Sequence, residues 1–173
     1  NDLSSIVLDL RDNRGGLLNS AVSILDMFIK KDELLVWTDG KARQSNKKYF
    51  SKSDPIVSDD IQIAVLINGG SASASEIVAG VMQDLDRGVV IGRQSFGKGL
   101  VQTVYNIDRN KALKVTTAKY YIPSGRLIQK SGYLPEDILA DTTKADSLFE
   151  TVGGRVVKGG KGITPDYKIE VDN

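Results

Sequence analysis

A chain of 173 residues, 40% hydrophobic and 26% charged, has the size and make-up of one globular domain with its own core. Its 23 Lys and Arg against 22 Asp and Glu leave a formal charge of +1, which argues against the basic footprint of a nucleic-acid binder. Without cysteine or histidine it can form no disulfide, thiol nucleophile, thiolate metal site, or Ser-His-Asp or Cys-His unit, and a catalytic zinc is not expected.

Acid–base chemistry must therefore fall to Lys, Asp, Glu or Tyr. No apolar run reaches the ~18–20 residues needed to span a bilayer. The chain opens at Asn1 a few residues before an apolar strand, as a piece of a longer protein would.

Ile6 to Leu10 reads as a short buried strand running into the turn-forming loop Arg11-Asp12-Asn13-Arg14-Gly15-Gly16. Leu17, Leu18, Ala21, Val22, Leu25, Phe28 and Ile29 then recur at helical spacing. Leu34 to Thr38 is a second strand. The polar stretch 39–60 after it reads as loop, with one short strand around Tyr49 and Phe50. The charge run Lys41, Arg43, Lys47 and Lys48 in that stretch reads as a solvated loop, without the aromatic spacing of a stacking platform.

Ile61 to Asn68 has the continuous apolar character of a strand buried on both faces. It ends in Gly69-Gly70-Ser71-Ala72-Ser73-Ala74-Ser75-Glu76, followed by a helix with Ile77, Val78, Val81, Met82 and Leu85 on its apolar side. Gly88 closes that helix and Val89 to Gly92 is the next strand. Val101–Ile107 and Leu113–Ile122, joined by the polar turn 108–111, form an antiparallel hairpin. Residues 129–147 read as a polar excursion, with a short helix expected near 146–151, and the Gly/Pro loop 159–166 precedes a last short strand.

Two strand, Gly-Gly loop, helix units carry the functional reading. If their strands are parallel, right-handed crossovers bring both loops to the carboxyl edge of one sheet, where open α/β sheets hold their ligand sites. Gln94 to Gly99 leaves the next strand at the same edge.

Ser73 with Glu76 three residues on is a capping box, and a helix N-terminus also offers free N–H groups to an oxyanion. Ser71 and Ser75 are competitors that chemistry does not exclude. Lys98, between Gly97 and Gly99 and close to Phe96 and Leu100, is either a surface lysine or a desolvated base. A free lysine has a pKa near ~10.4, and lowering it by roughly 3 units costs on the order of 4 kcal/mol. That reading requires Lys98 to lack a close acidic partner. Gln102 is a polar strand residue roughly 13 Å from Lys98 in an extended strand, so contact needs side-chain reach or a bend at Gly99. Tyr120 and Tyr121 read as core or edge-strand residues.

Asp9 to Gly16, Gly69 to Ile77 and Ser95 to Gln102, with Gly160-Lys-Gly-Ile-Thr-Pro-Asp166, together resemble the C-terminal processing (tail-specific) proteases. The resemblance implies an α/β fold, a ClpP/crotonase-like core of stacked strand-helix units with an added antiparallel hairpin. It implies a Ser–Lys dyad with Ser73 as nucleophile and Lys98 as base, Gln102 positioning the lysine, and the amides of Gly16 (or Gly15) and Ala74 as oxyanion hole. The implied reaction is hydrolysis of peptide bonds near unstructured C-termini through an acyl-enzyme, with no cofactor and no metal.

On this reading residues 1–173 are a partial catalytic core. A PDZ domain, which would bind substrate tails, and the first core strand and helix are expected in a longer parent chain. The fragment alone is then expected to be inactive or poorly regulated. An extracytoplasmic location, in the periplasm or cell envelope, follows from family habit, and a homo-oligomer is compatible with it. Two rivals share the fold: a crotonase-like acyl-CoA enzyme, which usually uses carboxylates at the reacting centre, and a non-catalytic binding module.

Overall fold

The computed structural model describes residues 3–130 and 147–170. The first unit is β1 (Ser5–Asp9), the Gly-Gly loop, and α1 (Leu18–Leu25). Next come β2 (Leu34–Asp39), a 3-10 turn (Arg43–Ser45) and β3 (Lys47–Phe50). The second unit is β4 (Gln62–Ile67), α2 (Ala74–Asp84) and β5 (Val89–Gly92). The hairpin β6 (Leu100–Asn106) and β7 (Ala112–Tyr121) follows, then β8 (Leu148–Glu150), β9 (Val156–Lys158) and β10 (Tyr167–Lys168).

The strands β1, β4, β5 and β10 form one parallel sheet in the order β1-β4-β5-β10, with Leu8 opposite Val65 and Val65 opposite Val90. Both Gly-Gly loops and the segment after β5 consequently leave the same edge, as the alternation of strands and helices predicts. The expected hairpin forms, but not as a free addition. It joins β2 and β3 in a four-stranded antiparallel sheet of order β3-β2-β7-β6. A short helix near 146–151 is not what forms at 148–150: Leu148–Glu150 pairs with β9 as an antiparallel strand, with Leu148, Phe149 and Glu150 opposite Lys158, Val157 and Val156. Most of the polar excursion, 131–146, lies outside the described residues.

The helix α2 is buried on every side, from Ala74 to Asp84. A helix apolar or small around most of its circumference has no face to give to water, and this one runs through the middle of the core. Ile77, Val78, Val81 and Met82 pack there with Leu25 of α1, Val65 and Ile67 of β4, and Ile122 and Ile163. Its N-terminus is thereby fixed at the sheet edge where the loops converge.

The far end of α2 carries a buried ion pair. Asp84 Oδ1 lies 2.7 Å from Arg126 Nη2, with both side chains sealed from solvent. Arg126 also donates to Gln83 Oε1 at 2.7 Å, and Asp84 accepts the Ser124 N–H at 3.0 Å. Burial raises the Asp84 pKa and lowers that of Arg126, each against the attraction of the other. Breaking such a pair leaves an uncompensated buried charge. Arg126→Met is expected to lower unfolding free energy by about 3–5 kcal/mol in urea titrations, and adding Asp84→Leu to recover part of the loss.

Candidate active site

The loop after β4 is tied to the loop after β1 before either reaches the site. Asn68 accepts the Asp12 N–H at 2.9 Å and donates to the Asp12 carboxylate at 3.1 Å. Ala72 N–H donates to the Asn13 carbonyl at 3.0 Å. Gly15 lies against this turn with φ +83°, and a Cβ there would stand 2.4 Å from the Ala72 oxygen. A side chain at Gly15 would push the two loops apart.

Ser73 occupies the turn between β4 and α2 with φ 59° and ψ −119°. A residue with a Cβ in that region carries strain of order 1–3 kcal/mol, held by the structure around it. The capping arrangement read from Ser73 and Glu76 forms: Glu76 Oε2 accepts the Ser73 N–H at 2.8 Å, and the Glu76 N–H donates back to the Ser73 carbonyl at 2.9 Å. Of the three serines, only Ser73 lines the cavity at this edge. Ser71 is spent on structure, its hydroxyl donating to the Leu10 carbonyl at 2.7 Å and accepting the Asn68 N–H at 3.0 Å. Ser75 is buried within α2.

The cavity has a volume of about 310 Å³. Its wall includes Ser73, Ala74 and Gly16 from the two loops, and Lys98 and Gln102 from the segment leading into β6. Every site residue inferred from the sequence is thus brought to one hollow, with Leu17, Ile77 and Leu100 supplying apolar surface. Between Lys98 and Gln102, which line the same cavity, the strand has a register shift at Val101/Gln102, and Gly97 before them turns with φ +87°. The Gly15 N–H donates to Asn13 Oδ1 at 2.9 Å. By contrast, the N–H groups of Gly16 and Ala74 have no acceptor among the described residues. Lys98 takes part in none of the ion pairs among the described residues.

Two residues do more than the sequence revealed. Glu76, expected only to cap, is wholly buried and receives four donors. Oε2 accepts from the N–H groups of Ser73 and Lys98, both at 2.8 Å. Oε1 accepts the Ser95 hydroxyl at 2.6 Å and the Gly97 N–H at 2.7 Å. One carboxylate therefore holds the Ser73 turn and the Lys98 loop to a common point. Burial pushes the Glu76 carboxyl above its ordinary range, and these four hydrogen bonds oppose the shift. Ser95 in turn accepts the Ile163 N–H at 2.6 Å, so the closing loop 159–166 braces the same segment. A Cβ on Gly99 would meet the Gln129 nitrogen at 2.5 Å, which fixes the other side of the loop.

Tyr120 is a core residue, as expected, at 2% exposure, but it also lines the hollow that holds Ser73. Its hydroxyl donates to the Lys98 carbonyl and lies beside the Ser73 hydroxyl. Burial, followed by the charge of Glu76, pushes its pKa well above the usual tyrosine value. Counting outward from the 107–111 turn puts Tyr120 opposite Lys98, the one sequence signal that leads to it; the register shift between Val101 and Gln102 moves it to Gly99, whose carbonyl accepts the Tyr120 N–H at 3.0 Å. Tyr121 stays structural, stacked on Trp37 with ring centres 5.4 Å apart.

Replacing Glu76 by Gln puts an NH₂ group against N–H donors. Glu76→Gln is expected to lower stability by about 2–3 kcal/mol, read as a shifted urea midpoint. The strain at Ser73 predicts a second difference: Ser73→Gly is expected to unfold at higher urea than Ser73→Ala, by about 1 kcal/mol or more.

Comparison with known proteins places this geometry. The profile described as "Peptidase family S41" matches residues 1–140. A carboxy-terminal-processing protease of Bartonella bacilliformis is 50% identical over 137 residues, covering 79% of this chain and 31% of that protein. A probable CtpA-like serine protease of Staphylococcus aureus is 39% identical over 146 residues, covering 84% of this chain and 29% of its own length. The chain thus spans under a third of the length of these relatives. Among solved structures, the photosystem II D1 C-terminal processing protease superposes with a TM-score of 0.69 at 29% identity, over 96% of this chain and 35% of that one. A putative S41 protease from Bacteroides fragilis shares the fold, with a TM-score of 0.64 at 18% identity. With more than half of its length matched by that profile, the chain belongs to peptidase family S41.

Proposed function

We propose that these residues form the catalytic centre of a serine endopeptidase that hydrolyses peptide bonds near protein C-termini. The observation that carries the reading is a strained serine on a strand-to-helix turn, facing a cavity that also holds a lysine outside every described ion pair.

The choice of base follows from the groups around Ser73. Glu76 already accepts four hydrogen bonds, two on each oxygen, and has no lone pair directed at the nucleophile. Tyr120 is held in its protonated form by burial and by the Glu76 charge. Lys98 remains.

Its neutral amine takes the proton from Ser73 Oγ as that oxygen attacks the substrate carbonyl carbon. The negative charge that develops on the carbonyl oxygen is met by the Gly16 and Ala74 N–H groups, which have no other described acceptor. The protonated Lys98 then gives its proton to the departing amine and the acyl-enzyme forms. Water attacks that ester with Lys98 again removing a proton, restoring Ser73 and releasing the second product. The Gln102 side chain accepts from Lys98 and orients it without adding charge. Extracytoplasmic action on polypeptides with unstructured tails is part of the same proposal.

The hollow does not favour an acyl-CoA enzyme, since no described carboxylate lines it. The test is a fluorophosphonate probe on the full-length protein, followed by peptide mapping. Labelling is expected at Ser73, absent in Ser73→Ala, and slowed about 10²–10⁴-fold in Lys98→Ala. Labelling that survives unchanged in Lys98→Ala would assign the base elsewhere.

A further inference from the structure

The catalytic hollow adjoins a larger cavity of about 560 Å³, and the two share Leu17, Leu18 and Val101 in their walls. The larger one lies between the end of β2, the segment carrying the 3-10 turn, and the β6–β7 face. The run expected to be a solvated loop contributes Lys41 and Lys47 to this wall while remaining exposed. Lys114 of β7 joins Lys98 in the catalytic hollow.

Charge is segregated here. Four lysines line the two adjoining cavities, and no described Asp or Glu lines either. The chain as a whole is balanced, with 23 basic and 22 acidic residues. Three other surface hollows are mixed: Lys30 and Arg87 with Asp59 and Glu33, Arg155 with Asp86 and Asp166, Arg11 with Asp9 and Asp12. Lys41, Lys47 and Lys114 are absent from the ion pairs among the described residues. A concave surface lined by one sign of charge focuses its field on whatever enters, and lysine, a mobile point charge, accepts carboxylates over a range of positions.

Building on the protease reading, we infer that this cleft selects peptide substrates by their carboxylates, with Lys114, Lys41 and Lys47 as the binding cations. The carboxylate is either the α-carboxylate at the end of the substrate tail or an Asp or Glu side chain near the cleavage point. Both present the same chemistry to an ammonium group.

The test measures binding, so it stands apart from whether hydrolysis occurs. Full-length protein carrying Ser73→Ala is titrated with fluorescent ten-residue peptides in matched pairs: free C-terminus against C-terminal amide, and internal Glu against Gln. At about 50 mM salt at least one charged member is expected to bind about tenfold tighter than its neutral match, and the gap to close at about 0.5 M salt. Adding Lys41→Met, Lys47→Met and Lys114→Met together is expected to remove that preference while leaving the neutral peptides unchanged. In a separate variant, Lys114→Glu shifts preference toward lysine-bearing peptides. The part of the preference that the triple variant removes assigns the carboxylate: the α-carboxylate where that part is confined to the free C-terminus, side chains where it is confined to Glu. Equal binding of charged and neutral peptides overturns the inference, as does a preference that persists in the triple variant.

Discussion

A single buried carboxylate holds this site together. Glu76 projects from the first turn of a helix that is itself sealed in the core, and its two oxygens take four donors from two places in the chain, the Ser73 turn and residues 95–98. Hydrogen bonds to a charged group are worth roughly 1.5–3 kcal/mol each, enough to offset a desolvation cost of several kcal/mol only when nearly all are made. The arrangement is therefore close to all-or-none. Loss of one donor weakens the case for keeping the charge buried and loosens both the Ser73 turn and the Lys98 loop.

That constraint explains why the neighbourhood is so rich in small residues. The Gly15 loop can approach the Ser73 turn only without a Cβ, and Gly99 can pass residue 129 only on the same terms. Ser95 is short enough to link Glu76 to Ile163, which draws the closing loop under the lysine segment. The backbone around Lys98 is thus fixed by main-chain bonds to Glu76 and by Tyr120, while its side chain enters no ion pair among the described residues. A carboxylate that grips the backbone orders the loop without forming an ion pair with the amine.

The same geometry separates the two faces of the molecule. Ion pairs and mixed-charge hollows lie on the flanks and at the far end of α2, where Asp84, Arg126, Asp86, Arg155 and Asp166 form a connected set. In the cavities beside Ser73 lysine is the only charged residue type among the described lining residues. Net charge near zero hides this separation entirely.

The amino-acid sequence by itself determined the strand-loop-helix repeats, the parallel edge where they converge, and the serine cluster and lysine that meet there. Those follow from short-range periodicity and turn chemistry, which neighbouring residues encode. It could not decide among Ser71, Ser73 and Ser75, because that choice turns on which hydroxyl is already spent on the Leu10 carbonyl, 61 residues away. The joining of the hairpin to β2 and β3 was also hidden, since strand partners are chosen by surfaces that meet only on folding. Glu76 looked like a cap because its first two partners are local, whereas its ties to Ser95, Gly97 and Lys98 span about twenty residues of sequence. Leu148–Glu150 became a strand where a helix was expected, because pairing with Val156–Lys158 outweighs the weak local preference of three residues. The serine choice, the hairpin's place in the sheet and the reach of Glu76 were decided by tertiary contact, since each depends on partners distant in sequence whose positions no local pattern records.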